Sequence, residues 1–315
     1  MRIILQFPEG LKQEALEHAK VLEKQGHEVF VSASPTFGAC DLAIAEAKEI
    51  GAERIVHFGH NEFRHADYDF DVEYVPYSID APLGVLEASM RYLQEYGTLG
   101  IVTTVQHVHQ LDAIRSFYEK KHKRVIIGKP YGSAKLPGQI LGCDVGSAAG
   151  IDSQVDAHVY FGAGRFHPLG ALLATTKPFF VVDPFGNEVE CIDNYRKLYR
   201  QKSRGKVMRA LDAKSFAVMV STKNGQFNMD LAKSLKSEIE AGGFDAQIVV
   251  SNTFDFESLN NMRCFDAFVN TACPRLAMDD IERLTKPLLS AGELAEVLRM
   301  KKELAAGETE RNKEK

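Results

Sequence analysis

Short β-branched or apolar runs alternate with segments of helical periodicity along most of the chain. Ile3–Phe7 is an apolar run, and Leu11–Lys24 then carries apolar residues at helical spacing. His27–Ala33, Asp41–Ile50 and Arg54–Gly59 continue the pattern as strand, helix and strand. Parallel strands need long crossover connections, which are usually helices, so this order predicts parallel sheets with helices on their faces.

The alternation restarts twice, each time after a polar or glycine-bearing gap. The gaps are Glu95–Thr98 and Gln201–Lys206. They predict an α/β fold of three similar Rossmann-like, parallel-sheet domains, because 315 residues are enough for two or three domains. The predicted boundaries are 1–97, 98–205 and 206–315, the last with a polar C-terminal tail.

The first two units resemble copies offset by 103 residues. This offset places Cys40-Asp41 on Cys143-Asp144 and Phe58-Gly59 on Phe161-Gly162. Each Cys-Asp pair is expected to start a helix, with the aspartate fixing its loop. The third unit fits less well, since Cys273 follows a predicted strand instead of preceding one.

Composition excludes several classes of protein. Hydrophobic residues make up 45% and charged residues 26%, and the net charge is −5, which argues against general nucleic-acid binding through phosphate contacts. No apolar run reaches the ~18 residues of a membrane span, and the first residues do not resemble a signal peptide. Five widely spaced cysteines do not suit a secreted disulfide framework, so we expect a reducing cytoplasm.

Three of the five cysteines share a setting beside small residues, one in each unit. The motifs are Gly38-Ala39-Cys40-Asp41, Leu141-Gly142-Cys143-Asp144 and Thr271-Ala272-Cys273-Pro274. Ligands of open α/β sheets bind outside the carboxyl ends of the strands, so three such loops packed about a centre could bring three thiolates together. The alternative is that these cysteines pack as small buried hydrophobic residues. Cys191 and Cys264 lack this setting and are interpreted as structural.

Other motifs are weaker. Gly162-Ala163-Gly164 begins like a dinucleotide fingerprint but lacks the third glycine, although Gly164-Arg165 follows a strand and could line a cleft. The histidines form two groups without an evident carboxylate partner, so metal binding by them is not favoured: His57, His60, His65, His107 and His109. The basic segment from Arg196 to Arg209 is interpreted as a solvated helix and linker.

Together with Pro8-Glu9-Gly10-Leu11, the three cysteine motifs resemble those of the archaeal 2-(3-amino-3-carboxypropyl)histidine synthases of diphthamide biosynthesis, over about residues 1–300. The resemblance implies three α/β domains around a central 4Fe–4S cluster, ligated by the catalytic cysteines Cys40, Cys143 and Cys273. It also implies a homodimer.

The same resemblance implies an unusual use of S-adenosylmethionine, since the C-x₃-C-x₂-C motif of ordinary radical enzymes is missing. The 3-amino-3-carboxypropyl group would be transferred as a radical to imidazole C2 of a histidine on translation elongation factor 2. Methylthioadenosine would leave, and an electron donor would be needed. The residues expected to hold S-adenosylmethionine are Pro8, Glu9, Gly10, Gly164, Arg165 and Arg275.

Two alternatives remain at this stage. Quinolinate synthase also has three α/β domains and one cysteine per domain on a 4Fe–4S cluster, but it is a dehydratase of small acids. The other alternative is a non-enzymatic α/β binding module with buried cysteines. Formation of methylthioadenosine separates the first alternative from the diphthamide enzyme, and an iron-free anaerobic preparation would support the second.

Overall fold

Three sheets built mainly of parallel strands make up the scaffold. A computed structural model describes residues 1–63, 71–276 and 283–313, with side chains through residue 307. Two compact units contain the sheets, the first two in Met1–Arg196 and the third in Lys197–Lys315.

The first sheet has the strand order β2-β1-β3-β4, with all neighbours parallel. Alternate residues of β1 point to opposite faces, so Ile3 packs with Ala15 and Ala19 on one side while Ile4 packs with Ala47 on the other. The strands are β1 (Arg2–Gln6), β2 (Glu28–Val31), β3 (Arg54–Phe58) and β4 (Asp71–Val75), and the helices are α1 (Ala15–Lys24), α2 (Ile44–Ile50) and α3 (Val85–Ser89).

The second sheet has the order β6-β5-β7-β8-β9. Its last strand is antiparallel to its neighbour, unlike the rest of the sheet. The strands are β5 (Thr98–Thr103), β6 (Arg124–Ile126), β7 (Ala157–Phe161), β8 (Phe179–Asp183) and β9 (Glu188–Cys191), and the helices are α4 (Leu111–Lys120), α5 (Gly146–Ala149), α6 (Phe166–Ala174) and α7 (Asn194–Arg209). All five residues of β7 are buried, as expected of a strand covered on both faces.

The third sheet has the order β11-β10-β12-β13, again all parallel. Two clusters of buried residues cover its faces, one including Val218 and Ile239 and the other including Met219 and Phe268. The strands are β10 (Ser215–Ser221), β11 (Asp245–Ser251), β12 (Ala267–Asn270) and β13 (Leu288–Leu289), and the helices are α8 (Met229–Ala241), α9 (Phe256–Asn261) and α10 (Ala291–Lys313).

The three sheets share one topology. In each, the first four strands in chain order lie in the spatial order second, first, third, fourth. β3 and β7 also begin and end 103 residues apart, which is the offset that the sequence predicts between the segments forming the first and second sheets. The predicted α/β fold of three similar parallel sheets is confirmed, whereas the boundaries at 97/98 and 205/206 stay predictions.

Several segments differ from expectation. The basic segment from Arg196 to Arg209 lies wholly in α7, so no part of it is a linker, and two of its side chains are not solvated. Lys206 is buried against Glu293 at 2.7 Å, and the Arg196 guanidinium donates to the carbonyls of Leu172, Thr175 and Lys177. The predicted polar C-terminal tail is helical as far as Lys313, because its Glu, Lys, Arg and Ala residues are strong helix formers. None of the described helices is both long and apolar enough to cross a bilayer.

Candidate functional site

The strand order places the crevice of each sheet between its first and third strands, where the chain turns to opposite sides. In the first sheet, the loops that follow β1 and β3 meet there. Gly59, which has a φ of +88°, packs against the ring of Pro8. Glu9 is exposed and forms an ion pair with Lys12 at 2.7 Å, while Gly10 is also exposed.

Gln6, the last residue of β1, holds the turn that carries Cys40. Its buried side-chain Nε2 donates to the Asp41 carbonyl at 2.7 Å and to Thr36 Oγ1 at 3.3 Å. Its Oε1 accepts from the Ala43 N–H at 3.1 Å. Half-buried Cys40 therefore lies in a turn tied to the carboxyl end of β1.

Neither Cys-Asp pair starts a helix as predicted. In the first pair, the Asp41 N–H bonds the Gly38 carbonyl at 3.0 Å, and this closes a turn before α2 begins at Ile44. Cys143 precedes the four-residue helix α5 and is exposed. The side chains of Gln6 and Asp144 form hydrogen bonds with backbone groups of these two segments. Both cysteines therefore lie in loops and not in the first turn of a helix.

Asp144 organises the loop around Cys143. Its Oδ2 accepts from the Ser133 and Ala134 N–H groups at 2.6 and 3.1 Å, and its Oδ1 accepts from the Gly146 N–H at 3.2 Å. Gly142 lies so close under the Phe166 ring that a Cβ there would overlap it. The prediction that this aspartate fixes its loop is confirmed, with the carboxylate bridging two loop segments.

The segment after β3 joins the Cys40 turn to the second sheet. Gln106 Nε2 donates to the Gly59 carbonyl at 3.1 Å, and Asn61 Nδ2 donates to Gln139 Oε1 at 3.4 Å. Gln139 is buried and comes four residues before Cys143. This short segment therefore connects the two cysteine-bearing loops of the first unit.

His57 and His60 lie in the same segment. His57 is buried, with Nδ1 3.0 Å from Gln6 Oε1 and Nε2 3.1 Å from His60 Nδ1. Burial, with a smaller contribution from His60, lowers the pKa of His57 to about 3. Burial also lowers the pKa of His60, against the opposing effect of a hydrogen bond with the Phe58 backbone. His65 lies outside the described residues.

The other histidine group has a different setting. His107 is buried and bonds the Ile79 carbonyl through Nδ1 at 3.0 Å, and His109 pairs with Asp80 at 2.8 Å. His109 therefore has a carboxylate partner that was not evident from the sequence, and the interpretation that these histidines do not bind a metal stays a prediction.

In the second unit, the loop after β12 carries Cys273. Asn270 holds it by accepting from the Ala272 N–H at 3.0 Å and donating to the Cys273 carbonyl at 2.8 Å. Thr271 anchors the loop to β10 by donating its hydroxyl to the Met219 carbonyl at 2.7 Å. Arg275, two residues after the cysteine, is only 4% exposed.

The remaining predicted residues lie after β7. Gly164 has a φ of +73°, and Arg165 pairs with Glu190 at 2.8 Å and lies over the Tyr195 ring. Cys191 and Cys264 are both exposed, although neighbouring groups partly desolvate the Cys191 sulfur, and this is the main cause of the raised pKa of its thiol. The roles predicted for these residues stay predictions.

The predicted cysteine ligands are divided between the two units: Cys40 and Cys143 lie in the first and Cys273 in the second. Among the residues that the structure describes, no group of three His, Cys, Asp or Glu side chains is placed to hold a metal ion. Convergence of the three thiolates therefore stays a prediction.

Repeated parallel sheets with cysteine-bearing loops at their strand ends define an α/β protein with candidate ligand sites at the topological crevices. The model of the diphthamide synthesis protein family matches residues 7–309. The chain belongs to this family.

Named relatives and a solved structure agree with this assignment. The 2-(3-amino-3-carboxypropyl)histidine synthase of Pyrococcus horikoshii is 34% identical over 96% of this chain and 87% of its own length. Subunit 1 of the human enzyme is 31% identical, over 95% and 68% of the two chains. The crystal structure of Dph2 from P. horikoshii with a 4Fe–4S cluster has a TM-score of 0.87 and 32% identity, covering 95% of this chain and 86% of that one.

The predicted enzyme class, a 2-(3-amino-3-carboxypropyl)histidine synthase, is confirmed by these relatives. The family match and the names of these relatives exclude both alternatives from the sequence analysis, a quinolinate synthase and a non-enzymatic binding module. The sequence analysis missed the roles of Gln6, Asn61 and Gln139. A polar residue ending the apolar strand β1 was the one available signal for Gln6.

Proposed function

We propose that this chain transfers the 3-amino-3-carboxypropyl group of S-adenosylmethionine to C2 of a histidine imidazole on translation elongation factor 2. Methylthioadenosine leaves, and the reaction is the first step of diphthamide biosynthesis. The observation that carries the proposal is the family match over residues 7–309, which includes all three cysteine motifs. Imidazole C2 is not basic and carries no good leaving group, so a carbon radical is a suitable agent to functionalise it.

We further propose that Cys40, Cys143 and Cys273 hold a 4Fe–4S cluster. The donors fit, because thiolate sulfur is the usual protein ligand of such clusters and three thiolates leave one iron open. Gly38 adds no side chain beside the Cys40 sulfur, where a Cβ would lie 3.7 Å from Sγ. When bound, the cluster supplies the electron that cleaves the bond between the sulfonium sulfur and the γ-carbon.

The chain's own residues bind and orient the sulfonium substrate in this proposal. Pro8, Glu9 and Gly10 follow β1, and Gly164 and Arg165 follow β7, so both segments border the crevice of their own sheet. Arg275 suits the substrate carboxylate, because a guanidinium forms charge-assisted hydrogen bonds with carboxylates. The Arg165 guanidinium is paired with Glu190 and must be released before it can bind the substrate carboxylate.

The setting of the reaction is also proposed from the family. The chain acts as a homodimer in the cytoplasm, where its protein substrate is found, and it receives electrons from a separate donor.

Product analysis tests the proposed function. Anaerobically purified protein is reduced and incubated with S-adenosylmethionine and elongation factor 2, and the nucleoside products are separated. Methylthioadenosine is expected, together with an aminocarboxypropyl mass increase on the target histidine. Reactions without reductant, or with the target histidine replaced by glutamine, serve as controls. 5′-Deoxyadenosine as the main product would overturn the proposed bond cleavage.

A further inference from the structure

The proton positions in the His57–His60 pair follow from the orientation of the Gln6 side chain. Gln6 Nε2 donates to the Asp41 carbonyl, and Gln6 Oε1 accepts from the Ala43 N–H. A flipped amide would face N–H with N–H and oxygen with oxygen, so these two backbone contacts fix its orientation. The amide oxygen has no proton to give, and His57 Nδ1 must therefore carry the proton that joins it to Gln6.

The position of the proton between His57 and His60 follows from the proton on His57 Nδ1. A neutral imidazole has one N–H and one lone pair, so His57 Nε2 is an acceptor and His60 Nδ1 is its donor. The low pKa of His57 supports this neutral arrangement. Burial keeps His60 neutral as well, so the hydrogen bonds with His57 Nε2 and with the Phe58 backbone use the same single ring proton. With that proton on Nδ1, which faces His57, the Nε2 atom of His60 presents a lone pair.

That lone pair lies beside the Cys40 turn. A Cβ placed on Gly38 would lie 3.9 Å from His60 Nε2 and 3.7 Å from Cys40 Sγ, so both atoms face the same side of this glycine. His60 is half-buried, and its ring is held at the other end by His57. The arrangement is a preoriented acceptor next to a predicted cluster ligand.

We propose that His60 Nε2 binds the ammonium group of the amino-acid part of S-adenosylmethionine, with Gln6 and His57 acting as positioning residues. This inference rests on the proposed function and adds a substrate-binding residue to it. A neutral acceptor forms a stronger hydrogen bond with a cationic N–H than with a neutral one, and the transferred group carries one ammonium.

Two substitutions separate the acceptor from the contact with His57. In His60→Asn, the side-chain amide replaces Nδ1 and can still donate to His57, but nothing replaces Nε2. In His60→Gln, the longer side chain can place an oxygen near the Nε2 position. His122→Asn is the matched control, because His122 is exposed and has a φ of +61°, which asparagine tolerates.

The experiment measures equilibrium binding of S-adenosylmethionine, and of its analogue without the amino group, to anaerobic protein that is not turning over. Iron content and melting temperature are measured in parallel. His60→Asn is expected to raise the dissociation constant for S-adenosylmethionine about 10- to 100-fold, the range for losing one charged hydrogen bond. Its dissociation constant for the analogue should match that of the wild type, and His60→Gln should bind S-adenosylmethionine more tightly than His60→Asn.

Equal losses for both compounds, or wild-type binding by His60→Asn, would overturn the inference. A raised KM for elongation factor 2 with unchanged S-adenosylmethionine binding would assign Nε2 to the target imidazole and also overturn it. Wild-type protein that binds S-adenosylmethionine but forms no methylthioadenosine would contradict the proposed function, while the comparison of the two compounds would still decide the role of His60.

Discussion

Gly59 lies against Pro8 so closely that a Cβ atom on Gly59 would stand 2.9 Å from the Pro8 Cγ atom. The two residues belong to the loops that follow β1 and β3, which border the crevice of the first sheet. Their contact sets how closely these loops approach, and it depends on the absence of a side chain at Gly59.

Gly59→Ala should therefore destabilise the protein by about 1–3 kcal/mol, since the new methyl group meets Pro8 and a φ of +88° strains alanine. Urea unfolding monitored by circular dichroism measures the change. Gly84→Ala is the control, because a Cβ there meets nothing within 4 Å among the described residues and φ is −58°. Equal unfolding midpoints for the two variants would contradict the prediction.

Asp144→Asn should cost about 1–3 kcal/mol of stability, because both carboxylate oxygens accept backbone N–H groups and an amide can replace only one of them. The free energy of unfolding is again the measurement. Asp112→Asn provides a comparison on a side chain that is 96% exposed. If both variants unfold like the wild type, Asp144 does not hold the Cys143 loop.

Asp152 should make stability depend on acid pH. Burial raises the pKa of Asp152, but hydrogen bonds from Thr176, His158 and the backbone outweigh this and lower it to about 2. The unfolded-state pKa is about 4, so the stabilisation of about 2 kcal/mol is complete above that pH and is lost as the pH falls toward 2.

Asp152→Asn removes this carboxylate. The difference in unfolding free energy between wild type and variant, measured by urea unfolding, should shrink from pH ~7 to pH ~2. A difference that stays constant over this range would show that Asp152 is not the titrating group.

The buried ion pair of Lys206 and Glu293 predicts a large effect at one position of the basic helix. Lys206→Ala should cost about 3 kcal/mol, the lower end for a broken buried pair, because Ser203 and Ser290 still donate to Glu293. Arg204→Ala, on an exposed residue of the same helix, should change the unfolding free energy little. A similar loss of unfolding free energy in both variants would contradict the predicted role of the buried ion pair.

Single cysteine replacements test the proposed cluster ligands. Cys40→Ala, Cys143→Ala and Cys273→Ala should each lose the cluster or leave it labile, because each removes one of three thiolates. Iron and sulfide per chain, with the visible absorption spectrum, provide the measurement. Cys191→Ala and Cys264→Ala are the matched controls and should retain the cluster. Normal iron content in any of the first three variants would remove that residue from the ligand set.

Local sequence patterns predicted the scaffold well. β3 begins at Arg54 as predicted and ends one residue before the predicted end at Gly59, since short apolar runs between polar segments are typical of buried parallel strands. The antiparallel edge strand β9 was missed, because Glu188–Cys191 alternates charged and apolar residues in a run too short to distinguish from a loop.

The candidate site was predictable only in part. Small residues around Cys40 and Cys143 indicated their loops, but the contacts that hold them come from distant positions. Gln6 is 35 residues from Asp41, and Asn61 is 78 residues from Gln139. Helical or strand periodicity carries no information about such pairs, and neither does it show that Lys206 is neutralised by Glu293, 87 residues away.

The shared strand order also bears on how such a chain can be redesigned. Cys40 and Cys143 each lie fourteen residues before the third strand of their sheet, and the same count back from β12 reaches Thr253, not a cysteine. The third sheet instead carries its cysteine after that strand. A protein assembled from three identical modules of the first sheet would reproduce the scaffold but not the thiol positions, so the scaffold is repetitive while its set of sulfur atoms is not.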